Sequence, residues 1–321
     1  MPRKKAPRYC LSSQPESLQA FLVWASSHRN VLDKLIVTHG GVVLRGFPVR
    51  ETDDFGALVE LFPSFAGDYV GGLAPRTQIA GKVMEATRLD KNAKIRLHSE
   101  MAYMQNYPPR IAFFSKSTAH TGGETIIADT RELIGSLSPE LREKLETLGV
   151  MTVRNFAAPS GRLDESVPHV DLRGWDLAFQ TDERDEVTAR CKERGLEPIW
   201  NKDGSLTVVN RTAAVVVHPQ TEQKLYRSNL HIYRVDSNMQ GLDPEIIRHL
   251  RENQERPSGT FLGDGQPLAE EEALQFTAHL DQKERAWSWK DGDVMILDNL
   301  QVWHGRNPFE GSRDVQVAML G

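Results

Sequence analysis

Between Ser17 and Leu35 the apolar positions Leu18, Phe21, Leu22, Trp24, Ala25, Val31, Leu32 and Leu35 recur at the spacing of one helix face. The pattern predicts two helices with a break near Asn30, stopped by Gly40-Gly41. Gly41 to Phe47 reads as a short buried strand and Asp53 to Phe62 as a further helix. From residue 95 the texture changes to short strands separated by turns: Ile95 to His98, Ile111 to Ser115, Thr125 to Ala128 and Met151 to Phe156. A helix over Ser138 to Leu148, with Ser138 as its N-cap, interrupts them. Residues 157 to 200 are polar and irregular, with a charged helix near Asp182 to Arg194. Ile199-Trp200, the Asn201 to Gly204 turn and Leu206 to Val209 then form a hairpin signal, and Ala213 to His218 reads as another strand. Helical spacing returns at Asp243 to Glu255 and Ala269 to Asp281. The chain closes on strands at Ala286 to Trp289, Val294 to Leu297, Val302 to His304 and Val315 to Leu320. Helices followed by many short strands describe an α+β chain built on a sandwich, barrel or jelly roll. No repeat or linker divides it, so one domain over residues 1–321 is expected.

Composition narrows the function classes. The 321 residues are 39% hydrophobic and 26% charged, enough apolar surface for a sizeable core. A net charge of -5 supplies no global positive field, so neither nucleic acid nor an anionic membrane is an expected partner. The basic start, Arg3, Lys4, Lys5 and Arg8, reads as part of a solvated tail over residues 1–15. Cys10 and Cys191 form no disulfide framework, and neither a signal core nor a membrane-length apolar run is present, so a cytoplasmic location is expected.

The ten histidines carry the chemistry of interest. A His and a carboxylate two residues apart on a strand share a face, and a distant second His completes a 2-His-1-carboxylate triad that leaves open positions on Fe(II). Chance supplies roughly one or two His-x-Asp/Glu matches in a chain of this composition, and three occur. His279-Leu280-Asp281 lies on an expected helix, where i and i+2 diverge. His169-Val170-Asp171 sits in the irregular stretch and reads as a surface loop. His98-Ser99-Glu100 ends a strand signal and is followed by Met101-Ala102-Tyr103, suited to a pocket wall.

Five segments then appear in a familiar order. They are His98-Ser99-Glu100-Met101; Pro109 to Phe114; Gly122-Gly123-Glu124-Thr125 with Ala128-Asp129; Gly292-Asp293-Val294 with Asp298-Asn299; and His304-Gly305-Arg306 followed by Gly311-Ser312-Arg313. In this order the chain resembles the taurine-dioxygenase-like (TauD/TfdA-like) family of Fe(II)/2-oxoglutarate-dependent oxygenases. The resemblance implies a double-stranded β-helix (jelly-roll) core with N-terminal helices and a large insert between core strands. It implies that His98, Glu100 and His304 bind Fe(II), and that Thr125 and Arg313 hold the distal carboxylate of 2-oxoglutarate. A guanidinium fork and a hydroxyl suit that carboxylate; Arg306 is the competing clamp. Asp298-Asn299 is expected to form a turn, with a role behind the His304 strand as the alternative. Gly122-Gly123 supplies backbone freedom.

The implied chemistry consumes 2-oxoglutarate and O2, releases succinate and CO2, and attacks a substrate C–H bond. Glu100 fills the position that halogenating relatives leave open, so hydroxylation is expected, with desaturation or cyclisation as alternative outcomes. The expected substrate is a small polar molecule, amino-acid-like, either free or carrier-bound. Residues 157–240 are expected to cover the site, offering Arg162, Asp164, Arg173, Arg227, Asn229 and Tyr233; Tyr103 and His231 are further pocket candidates. His28, His39, His120 and His249 read as caps or solvent-facing groups, and His218-Pro219 as a turn. A non-catalytic metal-binding jelly roll and a zinc hydrolase using the same three ligands are the remaining alternatives.

Overall fold

Two helices open the computed structural model, α1 (Leu18–Ser27) and α2 (Arg29–His39), in a structure that describes residues 15–67, 78–86, 90–159, 174–232 and 259–321. Ser17 caps α1 by accepting from Ala20 N at 3.2 Å. The break falls at His28 rather than near Asn30, because His28 leaves helical geometry while its N–H still reaches Trp24 O. Gly40, at φ +81°, ends α2 in the left-handed conformation. The chain continues through β1 (Gly41–Leu44), α3 (Thr52–Val59), β2 (Gln78–Ala80), β3 (Val83–Glu85), β4 (Ile95–His98), β5 (Arg110–Ser117), β6 (Thr121–Gly122) and β7 (Thr125–Asp129). After β7 come α4 (Leu133–Ser136), α5 (Pro139–Leu148), β8 (Val150–Phe156), α6 (Trp175–Phe179), α7 (Arg184–Glu193), β9 (Glu197–Trp200) and β10 (Leu206–Thr212). Next are β11 (Val215–Val217), β12 (Lys224–Tyr226), β13 (Gly259–Leu262) and α8 (Glu270–Lys283). The last strands are β14 (Arg285–Trp287), β15 (Val294–Asp298), β16 (Val302–Arg306), β17 (Phe309–Glu310) and β18 (Asp314–Leu320).

The core is two antiparallel sheets between which the chain alternates. One has the order β1-β15-β5-β18-β3-β2 and the other β14-β7-β16-β4. Period-two alternation sorts their side chains. Ile111, Phe113, Met295, Leu297, Val315 and Val317 of the first sheet pack inward against Val302 and Ile127 of the second. The opposite face of the first sheet, Ala112, Phe114, Val294, Ile296 and Ala318, is covered by Phe21, Leu32, Ile36, Phe55 and Leu58 from the three N-terminal helices. Leu97, Ile126, Ala128 and Trp303 on the outer face of the second sheet pack against Leu141, Leu145, Tyr226, Phe276 and Leu280. This is the jelly-roll core expected.

The described residues between β7 and β14 lie outside both core sheets. They begin before residue 157 and run past 240, because β8, β10, β9 and β13 pair among themselves in a separate sheet of order β13-β8-β10-β9. Met151 to Phe156 therefore belongs to the insert and not to the core. The hairpin expected at Asn201 to Gly204 is present, with Leu206 opposite Trp200. Residues 1–14, Arg162, Asp164, His169, Asp171, Arg173, Tyr233, His249 and the helix expected at 243–255 lie outside the described residues.

Candidate metal centre

β16 runs between β7 and β4, which sets His304 directly opposite His98 on one side and Ile127 on the other. The two imidazole centroids are 4.4 Å apart, and the Phe113 ring closes on His304 edge-on at 5.0 Å. Glu100 joins them from the chain just past β4, its Oε2 lying 3.8 Å from His304 Nε2. One donor atom from each of His98, Glu100 and His304 lies within 4.8 Å of the other two. His98 Nδ1 donates to Arg96 O at 2.8 Å, which leaves Nε2 with the lone pair a cation needs. Gly305 permits the close approach of β16 to β4: a Cβ there would sit 2.3 Å from Ile95 O.

Convergence of Glu100 with His98 does not come from strand alternation. β4 ends at His98, and Glu100 lies in a turn whose next residue, Met101, is held at φ +53°. Two asparagine side chains stand in for the missing ladder. Asn299 accepts from Glu100 N at 2.8 Å and donates to Glu100 O at 3.0 Å and Pro108 O at 2.8 Å. Asn229 accepts from Ser99 N at 3.2 Å and donates to Ser99 O at 3.3 Å. Ser99 Oγ donates to Asn299 O at 3.0 Å. Asn299 is wholly buried, so Glu100 N, Glu100 O and Pro108 O depend on it in place of water.

Asp298 does form the expected turn, accepting from Leu300 N and Gln301 N. It also meets His218 Nε2 at 2.9 Å, while His218 Nδ1 accepts from Gln220 N and Thr221 N, which puts the ring proton on Nε2. Gln301 bridges Asp298 to Val37 O of α2. The pair Asp298-Asn299 is thus both a turn and a support for the ligand segment, and only the first was favoured from sequence.

Thr125 and Arg306 are register partners on β7 and β16, two residues along from His304. Thr125 Oγ1 accepts from Trp289 Nε1 at 3.0 Å. Arg306 donates to Asp90 O at 2.6 Å and Ala93 O at 2.9 Å, so it holds a loop. Arg313 donates from Nε to Gly123 O at 3.0 Å, and burial followed by repulsion from Arg306 pulls its guanidinium down to about 10. A cleft lined by Gly122, Gly123, Trp289, Arg313 and Val315 opens beside it.

The four substrate candidates separate. Tyr103 is buried beneath the Arg154 guanidinium, 4.9 Å from its ring centroid, in the insert's apolar cluster. Asn229 faces the metal turn but uses both ends of its amide on the Ser99 backbone. His231 lies behind the sheet that carries His98 and His304: it stacks on Trp303 at 4.8 Å and meets Leu97 O at 3.1 Å through Nε2. The reason is alternation along β16, which sends Trp303 to the face opposite His304. Burial drives His231 down to about 3. Arg227 is buried, donates to Met104 O at 2.9 Å and covers the Tyr107 ring at 3.9 Å. His28, His39 and His120 are exposed, whereas His279 is buried on α8. The hold of Asn299 on the Glu100 turn has no local sequence signal, because its partners are about 200 residues away.

Two imidazoles and one carboxylate, with one imidazole fixed by a backbone carbonyl, fit a divalent first-row metal with open positions. The chain matches the sequence model of the family described as "Taurine catabolism dioxygenase TauD, TfdA family" over residues 7–319. It belongs to that family. The TauD-family chain is 28% identical to the dapdiamide synthesis protein DdaC of Enterobacter agglomerans, over 90% of its own length and 84% of that protein. It is 30% identical to a clavaminate synthase-like protein of Arabidopsis thaliana, over 94% and 88% of the two lengths. A solved asparagine oxygenase in complex with Fe(II), 2S,3S-3-hydroxyasparagine and succinate shares the fold, with a TM-score of 0.53 at 14% identity over 94% of this chain and 81% of that one. The protein is a 2-oxoglutarate-dependent non-haem iron dioxygenase, using Fe(II), 2-oxoglutarate and O2. The zinc-hydrolase and non-catalytic readings give way to that assignment. Among the described residues no helix is long and apolar enough to cross a membrane.

Proposed function

We propose that the chain, acting as one catalytic domain, hydroxylates a C–H bond of a small polar, amino-acid-like substrate, with His98, Glu100 and His304 as the iron ligands. The convergence of these three side chains, one donor atom of each within 4.8 Å of the other two, carries the reading. Iron with 2-oxoglutarate and O2 supplies oxidative decarboxylation, to succinate and CO2, coupled to attack on the substrate. The protein's part is positional. Arg96 O keeps the His98 lone pair on Nε2, and Asn299 and Asn229 hold the Glu100 turn. Thr125 and Arg313 take the distal carboxylate of 2-oxoglutarate. Because Trp289 donates to Thr125 Oγ1, the Thr125 proton is left to donate onward. Phe113, Val302, Val315 and Val317 line the inner face and exclude water from the reacting end.

Anaerobic titration with Fe(II) and 2-oxoglutarate tests the ligand set through the weak visible charge-transfer band of the chelate. The wild type should show it and His98→Ala should not. No band in the wild type overturns the reading. Mass analysis after turnover with an amino-acid panel should show a gain of one oxygen; a loss of two hydrogens would place the outcome with desaturation or ring closure.

A further inference from the structure

Arg227 is a buried guanidinium that the proposed chemistry leaves unused. Its residue is 3% exposed, and Nη1 donates to Met104 O at 2.9 Å while the planar head lies 3.9 Å from the Tyr107 ring centroid. Nε is buried without a partner. Among the described residues no carboxylate faces it; its surroundings act on it through burial and the Tyr107 hydroxyl alone, and they pull it down to about 10. A buried cation without a counter-ion is costly, and structural arginines of this fold solve the problem locally. Arg45 pairs with Asp293 and Arg110 with Asp33.

Position gives the anomaly a meaning. Met104, whose carbonyl holds Arg227, closes the turn that Met101 begins directly after Glu100. Two residues beyond Arg227, Asn229 clasps Ser99, between His98 and Glu100. Along β16 and β4 the Thr125 and Arg306 pair lies to one side of the His98–His304 rung. The Ser99 to Met104 segment, and Arg227 with it, leaves β4 on the other side. Arg313, beside Gly123, serves the first side. On the proposed reading the cosubstrate carboxylate accounts for that guanidinium, and among the described residues no anion accounts for Arg227.

We propose that Arg227 is the subsite for the carboxylate of the substrate, so that this enzyme takes free carboxylic acids of amino-acid type and not carrier-tethered thioesters or amides. The proposal rests on the oxygenase reading and deepens it by naming the anchoring group. A planar fork matches a carboxylate through two parallel hydrogen bonds, and a thioester offers no such anion. Arg227 already uses one nitrogen on Met104 O and its face on Tyr107, which holds the guanidinium plane while Nε stays without a partner.

The test compares a panel of L-amino acids with their C-terminal amides, which keep the side chain and remove the charge. Succinate formation is measured with iron-loaded wild type, Arg227→Met, Arg227→Lys and, as a surface control, Arg211→Met. For the acids that stimulate succinate formation, the wild type should prefer acid over amide by about 10- to 100-fold, the range of a charge-assisted bidentate pair. Arg227→Met should bring that ratio close to one, Arg227→Lys should keep part of it, and Arg211→Met should leave it unchanged. Equal use of acids and amides by the wild type, or an undiminished ratio in Arg227→Met, overturns the assignment while leaving the oxygenase reading intact. The acid-amide comparison needs only the wild type, so misfolding of a variant does not remove the test. If no panel member stimulates turnover, the melting midpoint reads binding of the same panel, and absence of a carboxylate-specific shift in the wild type also overturns it. Absence of the Fe(II)/2-oxoglutarate band is the separate failure of the underlying reading.

Discussion

Replacing Asn299 with Ala removes a side chain that makes three short contacts with the ligand segment: from Glu100 N at 2.8 Å, and to Glu100 O at 3.0 Å and Pro108 O at 2.8 Å. Glu100 and Asn299 are both buried, so the backbone groups lose partners that bulk water cannot replace directly. Each unsatisfied buried group costs about 1–3 kcal/mol, and with one water entering the gap the loss should total about 3 kcal/mol. For a chain of this length that corresponds to a fall of roughly 4–5 °C in melting midpoint. Met101 is held at φ +53° by the same turn, and once the clasp is gone it can relax toward ordinary geometry, carrying the Glu100 carboxylate away from His304. Affinity for a divalent metal should therefore fall about 10- to 100-fold, as for loss of other groups that orient ligands. Anaerobic Fe(II) or Mn(II) calorimetry on wild type, Asn299→Ala and Asn299→Asp reads this; Asn299→Asp keeps the acceptor for Glu100 N and loses both donations. A variant that melts lower but binds metal within twofold of wild type would show that the clasp supports the fold without shaping the ligand set. Unchanged melting as well would refute the hydrogen-bond reasoning altogether.

Other outcomes follow from the same geometry. Gly305→Ala would drive a methyl to within 2.3 Å of Ile95 O, forcing β4 from β16; melting and metal affinity should both drop sharply, and a near-neutral result would contradict the close approach. Arg313→Gln should raise the 2-oxoglutarate KM by at least about tenfold, whereas Arg306→Gln should mainly lower stability, since its guanidinium holds Asp90 O and Ala93 O. His231 is held down to about 3 by burial, while its unfolded value lies near 6.5. Below pH 6.5 the unfolded chain therefore binds a proton that the folded one refuses, and stability should fall with pH at up to about 1.4 kcal/mol per unit. Urea midpoints between pH 7.5 and 4.5 should slope less in His231→Phe, which keeps the stack on Trp303; an identical slope would exclude His231 as a source.

Local pattern was enough for most elements of the core. Val294 to Leu297 and Val315 to Leu320 are short apolar runs bounded by turns, and Ser138 announces its helix with a hydroxyl in the right place. The proposed ligand residues stood out for a different reason: His98-Ser99-Glu100 and His304-Gly305-Arg306 are part of an ordered set of segments. What could not be read was any relation carried by one side chain across the chain. Asn229 looked like a pocket residue because it is polar and follows a strand, yet its amide is committed to the Ser99 backbone. His231 looked equally suitable, and only the alternation of Trp303 and His304 on β16 places it behind the sheet. The insert was underestimated because β8 has the same burial alternation as a core strand; its pairing with β10 and β13, and not its composition, excludes it from the jelly roll.

The Asn229 clasp makes the insert a poor candidate for modular exchange. A graft that brought in another relative's insert without an amide at this position would leave Ser99 N and Ser99 O bare beside the Glu100 turn, so exchanging the insert would also disturb the proposed metal site. Changes in the insert and changes in the Glu100 turn therefore act through a shared residue. Variants with altered substrate range should accumulate compensating changes around residues 99 to 104 and 299, far from the altered surface.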